Sequence, residues 1–266
     1  MTGSRSSPIR VRMRHVEWVE ARMGERDRAI VASVARLRLV TGQQLERLHF
    51  HDIAPRSRAA VRRRVLARFV AWRVLMTLER RIGGVRAGSS GLVYALDSAG
   101  QWLCTDGQGV RRTELPGVAF VGHTLAVSEL YVSLVELGRG ADIEVTAFET
   151  EPRSWWSNGL GGWLKPDAYL SVATADYADA WWIEMDMGTE HLPTIRRKLG
   201  VYLDFAQRRQ AGPSGVMPRV VVSVQDERRQ QAVEGVIQRL PDPAGQLVHV
   251  STATETPAYL AGVLQA

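Results

Sequence analysis

The sequence predicts an α/β protein, α+β overall, in two parts: a helical module closed by a β-hairpin, then a mixed sheet flanked by helices. Three observations predict it. Charge is divided along the chain: residues 1–115 carry 22 arginines against 10 acids, a net +12, and the remainder carries 12 basic and 18 acidic residues, a net −6. Hydrophobic residues recur at helical spacing through three early segments, then give way to two short β-type runs around a glycine-rich turn. Beyond residue 113 the helix and strand periods follow the order αβββαβαβ, which requires a central mixed sheet. The divisions are a basic arm and lead-in (1–23), the helical module (24–112) and the mixed-sheet domain (113–266).

The chain has 266 residues, 45% of them hydrophobic, enough for two cores of ordinary size. No unbroken apolar run approaches the ~20 residues of a membrane span. The arginines near the N-terminus are not followed by the apolar stretch of a signal peptide. Cys104 is the single cysteine, which excludes an internal disulfide and a cysteine metal cluster. A cytoplasmic protein with no membrane partner is expected.

Residues 24–40 place Ile30, Val34 and Leu37 on one helical face, with Arg26, Arg28, Arg36 and Arg38 elsewhere on the barrel. Thr41 is the expected N-cap of a second helix, Gly42 to Leu48. Pro55 marks a loop, and Ser57 is expected to cap a third helix, running to Leu75. Val61, Val65, Leu66, Phe69 and Trp72 form its apolar side, while Arg58, Arg62, Arg63, Arg64 and Arg68 occupy the rest. Thr77 to Ile82 and Leu92 to Leu96 then read as strands around Gly83 to Gly91. Helix, helix, basic helix, hairpin is the order of a winged helix-turn-helix. The third helix would enter the major groove of double-stranded DNA, and Arg80, Arg81 and Arg86 on the hairpin would follow the backbone. The alternative is a merely solvated arginine face. The absence of any acid between Ala54 and Leu78 favours a polyanion. His49 and His51 read as loop residues.

In the second part, a helix is expected over His123 to Leu137. Strands follow at Ile143 to Phe148, Leu164 to Val172 and Ala180 to Met187, then a helix at Leu192 to Arg208. A strand at Arg219 to Val224, a helix from Asp226 to Leu240 and a strand at Leu247 to Val250 complete the order. A turn centred between Ala175 and Asp176 sets Asp167 opposite Glu184 and Lys165 opposite Asp186, and strand alternation puts all four on one face. Facing carboxylates repel. Three acids and one Lys therefore call for another cation or a raised pKa, and Mg²⁺ (or Mn²⁺) would satisfy them, since it takes one or two carboxylates together with phosphate oxygens. Lys198 and Tyr202, four apart, share a face of the next helix. The alternative is a solvated acidic face, since an antiparallel sheet tolerates one wet side.

The order αβββαβ, the Pro166-Asp167 pair and Glu184-Met185-Asp186 resemble the PD-(D/E)XK, or restriction-endonuclease-like, superfamily. With the basic module in front, the chain resembles the replication-relaxation family of actinobacterial plasmids and mobile elements. The stretches VARLRLVTGQQLERLHF, RRIGGVRAGSSGLVYALDSAG, GHTLAVSELYV, LKPDAYL and WWIEMDMGTE with RRKLGVY carry the resemblance, over most of residues 25–205. It implies a role in plasmid replication, relaxation or transfer. It also implies Asp167 and Glu184 as metal ligands, with a third acid from the first helix, Glu129 or Glu136. Asp186 stands where the superfamily has Lys, so Lys198 becomes the substitute, braced by Tyr202. The function expected is DNA binding with Mg²⁺-dependent nicking. The alternatives are a non-catalytic replication accessory factor or transcriptional regulator, and a transposase-like subunit that needs a partner. Partners would be double-stranded DNA and either a second copy or another replication or transfer protein.

Overall fold

The computed structural model describes residues 11–78, 91–105 and 117–264. They divide into two compact units, Met1–Leu125 and Ala126–Ala266. The expected hairpin tip with Arg80, Arg81 and Arg86, most of the N-terminal arm and the start of the linker lie outside the described residues.

The first unit runs α1 (Met13–Glu20), α2 (Glu25–Leu37), β1 (Val40–Thr41), α3 (Gly42–His49), α4 (Pro55–Ala71), β2 (Leu75–Leu78), β3 (Val93–Leu96) and α5 (Ser98–Thr105), then enters α6 (Val118–Gly138). Thr41 caps α3 as expected. Its Oγ1 accepts the Gln44 N–H at 3.1 Å, and Gln44 Oε1 accepts the Thr41 N–H at 2.9 Å. α4 starts two residues before Ser57: Pro55 takes the first helical position, where its missing N–H costs nothing. Leu75 opposes Leu96 in the β2–β3 pair, and Val40 opposes Tyr94, so the small sheet has the order β1-β3-β2. Ile30, Val34, Leu45, Phe50, Leu66, Phe69, Leu75 and Val93 are buried. His49 Nε2 meets Ser33 Oγ at 2.9 Å and His51 is exposed.

Not all the arginines of α4 face outward. Arg62 is buried and reaches Glu46 on α3 at 2.8 Å. Arg68 donates to Asp27 on α2 at 2.6 Å and lies over the rings of Phe69 and Trp72. Arg58 donates to the carbonyls of His51 and Ile53, bracing the loop before its own helix. The expectation that all five face outward needs correcting for Arg62, which is buried, while Arg58 and Arg68 stay partly exposed and hold protein partners. Their partners come from outside the acid-free segment, where local sequence shows none. Arg63 and Arg64, with Arg56, are exposed, and among the described residues no carboxylate pairs with them.

The second unit holds the rest of α6, then β4 (Glu144–Thr150), β5 (Trp156–Ser157), β6 (Trp163–Leu164), β7 (Ala168–Ala173), β8 (Ala178–Asp186), α7 (Leu192–Gln207), β9 (Arg219–Val224), α8 (Glu227–Ile237), α9 (Ala244–Leu247), β10 (Val248–Thr252) and α10 (Thr256–Gly262). The five-stranded sheet has the order β10-β9-β8-β7-β4, antiparallel from β4 to β8 and parallel from β8 to β10. α7 covers the face carrying Tyr169, Trp182, Val220 and Val222, through Ile195, Leu199, Tyr202 and Phe205. Trp181 and Ile183 are fully buried on the opposite face. β8 is thus a central strand covered on both sides, and the alternative of a solvated acidic face does not hold: Glu184 and Asp186 are buried. α6 is long and apolar enough by composition to cross a membrane. Here Val121 and Leu125 pack in the first unit with Leu39, Leu78 and Val93, and Tyr131 stacks against Phe148 in the second.

The two classes of arginine give a test. Arg62→Ala leaves Glu46 without its cation and is expected to cost about 2–4 kcal/mol in urea unfolding, whereas Arg63→Ala stays within about 0.5 kcal/mol of the parent.

Candidate active site

The β7–β8 register is the one the turn at Ala175 and Asp176 dictates, with Ala168 opposite Ile183 and Tyr169 opposite Trp182. Asp167 lies one residue before this ladder; its N–H donates to the Ile183 carbonyl at 2.9 Å, and its carboxylate is close enough to Glu184 for its charge to act on it. Both carboxylates lie on the α7 side. On the other flank, the β4–β7 register continues past Thr150 and Ala168 to bring Glu151 opposite Asp167, the Glu151 N–H meeting the Asp167 carbonyl at 3.3 Å. Three acids therefore cross three strands in one row.

α7 supplies the answering charge. Lys198 Nζ lies 3.2 Å from Glu184 Oε2 and 2.9 Å from Glu190 Oε1. One turn on, the Tyr202 hydroxyl donates to Glu184 Oε1 at 2.5 Å. The Met185 N–H donates to Asp167 Oδ2 at 2.7 Å. Glu184, Asp186, Glu190 and Lys198 line a hollow of about 20 Å³, enough for one water molecule.

Burial dominates the electrostatics. It pushes the proton affinity of Glu184 up, the facing Asp167 adds to this, and Lys198 and Tyr202 offset only part, leaving the group titrating at about 7. Asp167 is likewise raised to about 7 by burial, against the Met185 N–H and Lys198, with Glu151 and Glu190 adding repulsion. Burial alone would lower Lys198, but Glu184, Glu190 and Asp167 outweigh it and hold the ammonium charged. Burial and then Glu184 raise the Tyr202 phenol well above its usual range. At neutral pH, then, Lys198 is a fixed cation and Tyr202 a fixed donor, and the two acids share what protons remain.

Asp186 and Lys165 go elsewhere. Asp186 Oδ2 accepts from Arg229 Nε at 2.6 Å and Oδ1 from the Gly188 N–H at 2.8 Å, so its charge is matched from α8. Lys165 does not oppose Asp186, because β7 begins only at Ala168. Pro166, with no N–H for the ladder, interrupts the strand, and residues 163–164 pair with β5 instead. The Lys165 Nζ sits 4.5 Å from the centre of the Trp155 ring. Glu129, half-buried on α6, is not among the charges acting most strongly on Asp167 or Glu184; Glu151 and Glu190 are. These two escape a reading of local pattern. The β4–β7 register is set across an intervening hairpin and a bulge between Val145 and Ala147, and Glu190 precedes the helix it serves.

Among the described residues, no group of three or more acids, histidines or cysteines is arranged to hold a metal ion unaided. The donor set that fits a divalent cation is the Asp167–Glu184 pair, whose raised proton affinity marks an unmet need for positive charge. Such a site leaves the remaining positions to phosphate and water.

The acid pair has a linkage consequence. Both groups bind protons more tightly folded than unfolded, so the native state holds protons that the unfolded chain has released between pH of about 4 and about 7. With divalent ions chelated, wild-type stability relative to Glu184→Gln is expected to fall as pH rises through that window. Thermal melts of both proteins across it check the sign.

The Replication-relaxation family matches residues 31–220, a span that contains α3, α4, the acid pair, Lys198 and Tyr202 but not Arg229. Neither a curated protein nor a solved structure matches the chain. The match covers well over half of the residues, and the chain belongs to the Replication-relaxation family.

Proposed function

We propose that this protein binds duplex DNA through its first unit and hydrolyses a phosphodiester bond with its second, in the replication or relaxation of plasmid DNA in the cytoplasm. The order α2, β1, α3, α4, β2, β3 with the sheet β1-β3-β2 supports reading the first unit as a winged helix-turn-helix. In it α4 is the recognition helix, offering Arg63 and Arg64 with Arg56.

The second unit reads as a nuclease of the PD-(D/E)XK type. The observation that carries this is the juxtaposition of the Asp167 and Glu184 carboxylates beside Lys198. Asp167 and Glu184 would hold Mg²⁺ or Mn²⁺, which when bound polarises the phosphate and acidifies water. The chain's own groups divide the remaining work. Lys198 stays protonated, so it serves to offset charge developing on the phosphate and not as a base. Tyr202 fixes the rotamer of Glu184 through its hydroxyl. The carboxyl groups titrate near neutrality, where a general base is most effective. Asp186, neutralised by Arg229, closes the back of the site.

A second reading has its own observation. Both Glu184 oxygens already accept protein donors, from Lys198 and Tyr202, and the superfamily's Lys position holds Asp186. A DNA-binding accessory factor with a closed, non-catalytic second unit would look this way.

Incubation of purified protein and Mg²⁺ or Mn²⁺ with supercoiled plasmid separates the two. Nicking that falls on the order of a hundredfold or more in Asp167→Ala supports the nuclease; intact plasmid with wild-type protein leaves the accessory factor. Independently, Arg63→Ala with Arg64→Ala is expected to weaken duplex binding for all sequences and to reduce the salt slope by about 2.

A further inference from the structure

The β5–β6 hairpin leads directly to Asp167, and the mechanism above makes no use of it. Its register, Trp156 opposite Leu164 and Ser157 opposite Trp163, sorts its side chains. Leu164 is fully buried, Trp156 packs on the same core, and the Trp156 indole N–H donates to the Ala211 carbonyl at 3.1 Å. Their neighbours point the other way. Trp155, Ser157, Trp163 and Lys165 thus share the outer face, and the Lys165–Trp155 cation–π contact lies on it.

The hairpin is braced, not loose. Asn158 Oδ1 accepts the N–H groups of Leu160 and Gly162 at 2.9 Å each, and Arg208 donates to the Asn158 carbonyl at 3.0 Å. Gly159 and Gly161 take the positive φ values that the tight tip needs. At its base, Ser154 Oγ donates to the Pro166 carbonyl at 2.6 Å. This rigid element nonetheless leaves Trp163 58% and Leu160 70% exposed, a cost in apolar hydration that a purely structural hairpin has no reason to bear.

We infer that the hairpin is a stacking platform for unpaired nucleobases, holding single-stranded or locally opened DNA beside the Asp167–Glu184 pair. The exposed Trp163 indole and the Lys165 ammonium, itself held over the Trp155 ring, match the two parts of a nucleotide, a π-surface and a phosphate. Bases in a duplex cover each other's faces, so an indole reaches one only when the base has left the stack. The platform also touches the acids: the Trp155 indole N–H donates to Glu151 Oε1 at 3.1 Å, and Glu151 faces Asp167 across β4 and β7. This rests on the proposed DNA reading, since it names the form of DNA that the second unit accepts.

The test uses the full chain in EDTA, with fluorescein-labelled oligo-dT of about 15 nucleotides and a duplex of equal length. Trp163→Ala is expected to weaken oligo-dT binding by roughly tenfold, with Trp163→Phe retaining most of it and duplex affinity unchanged. Arg63→Ala with Arg64→Ala should do the reverse. Quenching of tryptophan emission by oligo-dT should shrink in Trp163→Ala. Equal oligo-dT affinity in Trp163→Ala and wild type overturns the inference, as does a wild-type protein that binds the duplex alone. So does a sedimentation change from dimer to monomer in Trp163→Ala with oligo-dT binding intact, which would assign the face to a second copy of the chain. Oligo-dT binding without plasmid nicking would instead remove the nuclease reading and leave the platform standing.

Discussion

The carboxylates of Asp167 and Glu184 face each other across antiparallel strands, under a helix, where two negative charges persist only beside a cation. Much of the second unit is arranged around that constraint. Lys198 and Tyr202 dock α7 onto Glu184 from one face of the helix, and the buried apolar groups of α7 flank them on the same core. Aliphatic residues of similar volume would hold such a layer at least as well, since the desolvation of buried ions commonly exceeds what their pairing returns. Stability alone therefore does not account for these side chains, which is the physical ground for the proposal that they meet an outside cation or phosphate.

Two ion pairs divide this face between them. Asp186 is buried and Arg229 largely so, and Arg229 also donates to the Glu190 carbonyl, which ties α8 to the segment entering α7. That pair is closed. Lys198, by contrast, keeps about two-fifths of its side chain exposed while bridging Glu184 and Glu190. Solvent, and any ligand, reaches the acids past Lys198 and not past Arg229. The position at which the superfamily pattern calls for Lys is thus filled by an acid with its own arginine, and the ammonium arrives from the neighbouring helix.

The legible part of the molecule was the part set by local rules. A tight turn fixes a hairpin register arithmetically, so the pairing of Ala168 with Ile183, which brings Asp167 and Glu184 close, could be read from the position of Ala175 and Asp176. The Thr41 cap and the four-residue spacing of Lys198 and Tyr202 are local in the same sense. What escaped depends on pairing between distant segments. Glu46 and Asp27 withdraw Arg62 and Arg68 from the basic face, and Arg229 withdraws Asp186 from the acidic one. Glu151 joins the row of acids through a register that a hairpin and a bulge separate from any turn. Alternation also left a wet face on β8 open as an alternative, because period two is silent about whether a helix will cover it.

The two lysines of an otherwise all-arginine set of basic residues belong to this second unit, and their environments differ in what they demand. Over the Trp155 ring a guanidinium would stack at least as well as an ammonium, so Lys165 is a matter of indifference there. Lys198 is not. Its nitrogen stands between carboxylates from β8 and from the loop before α7, on the rim of a hollow of about 20 Å³. A planar fork with five donors would fill that space and claim both carboxylates bidentately, whereas a compact point charge leaves room for a water or a phosphate oxygen beside it. The physical requirement at residue 198 is therefore a small, permanently charged group that balances two acids without occupying the space between them.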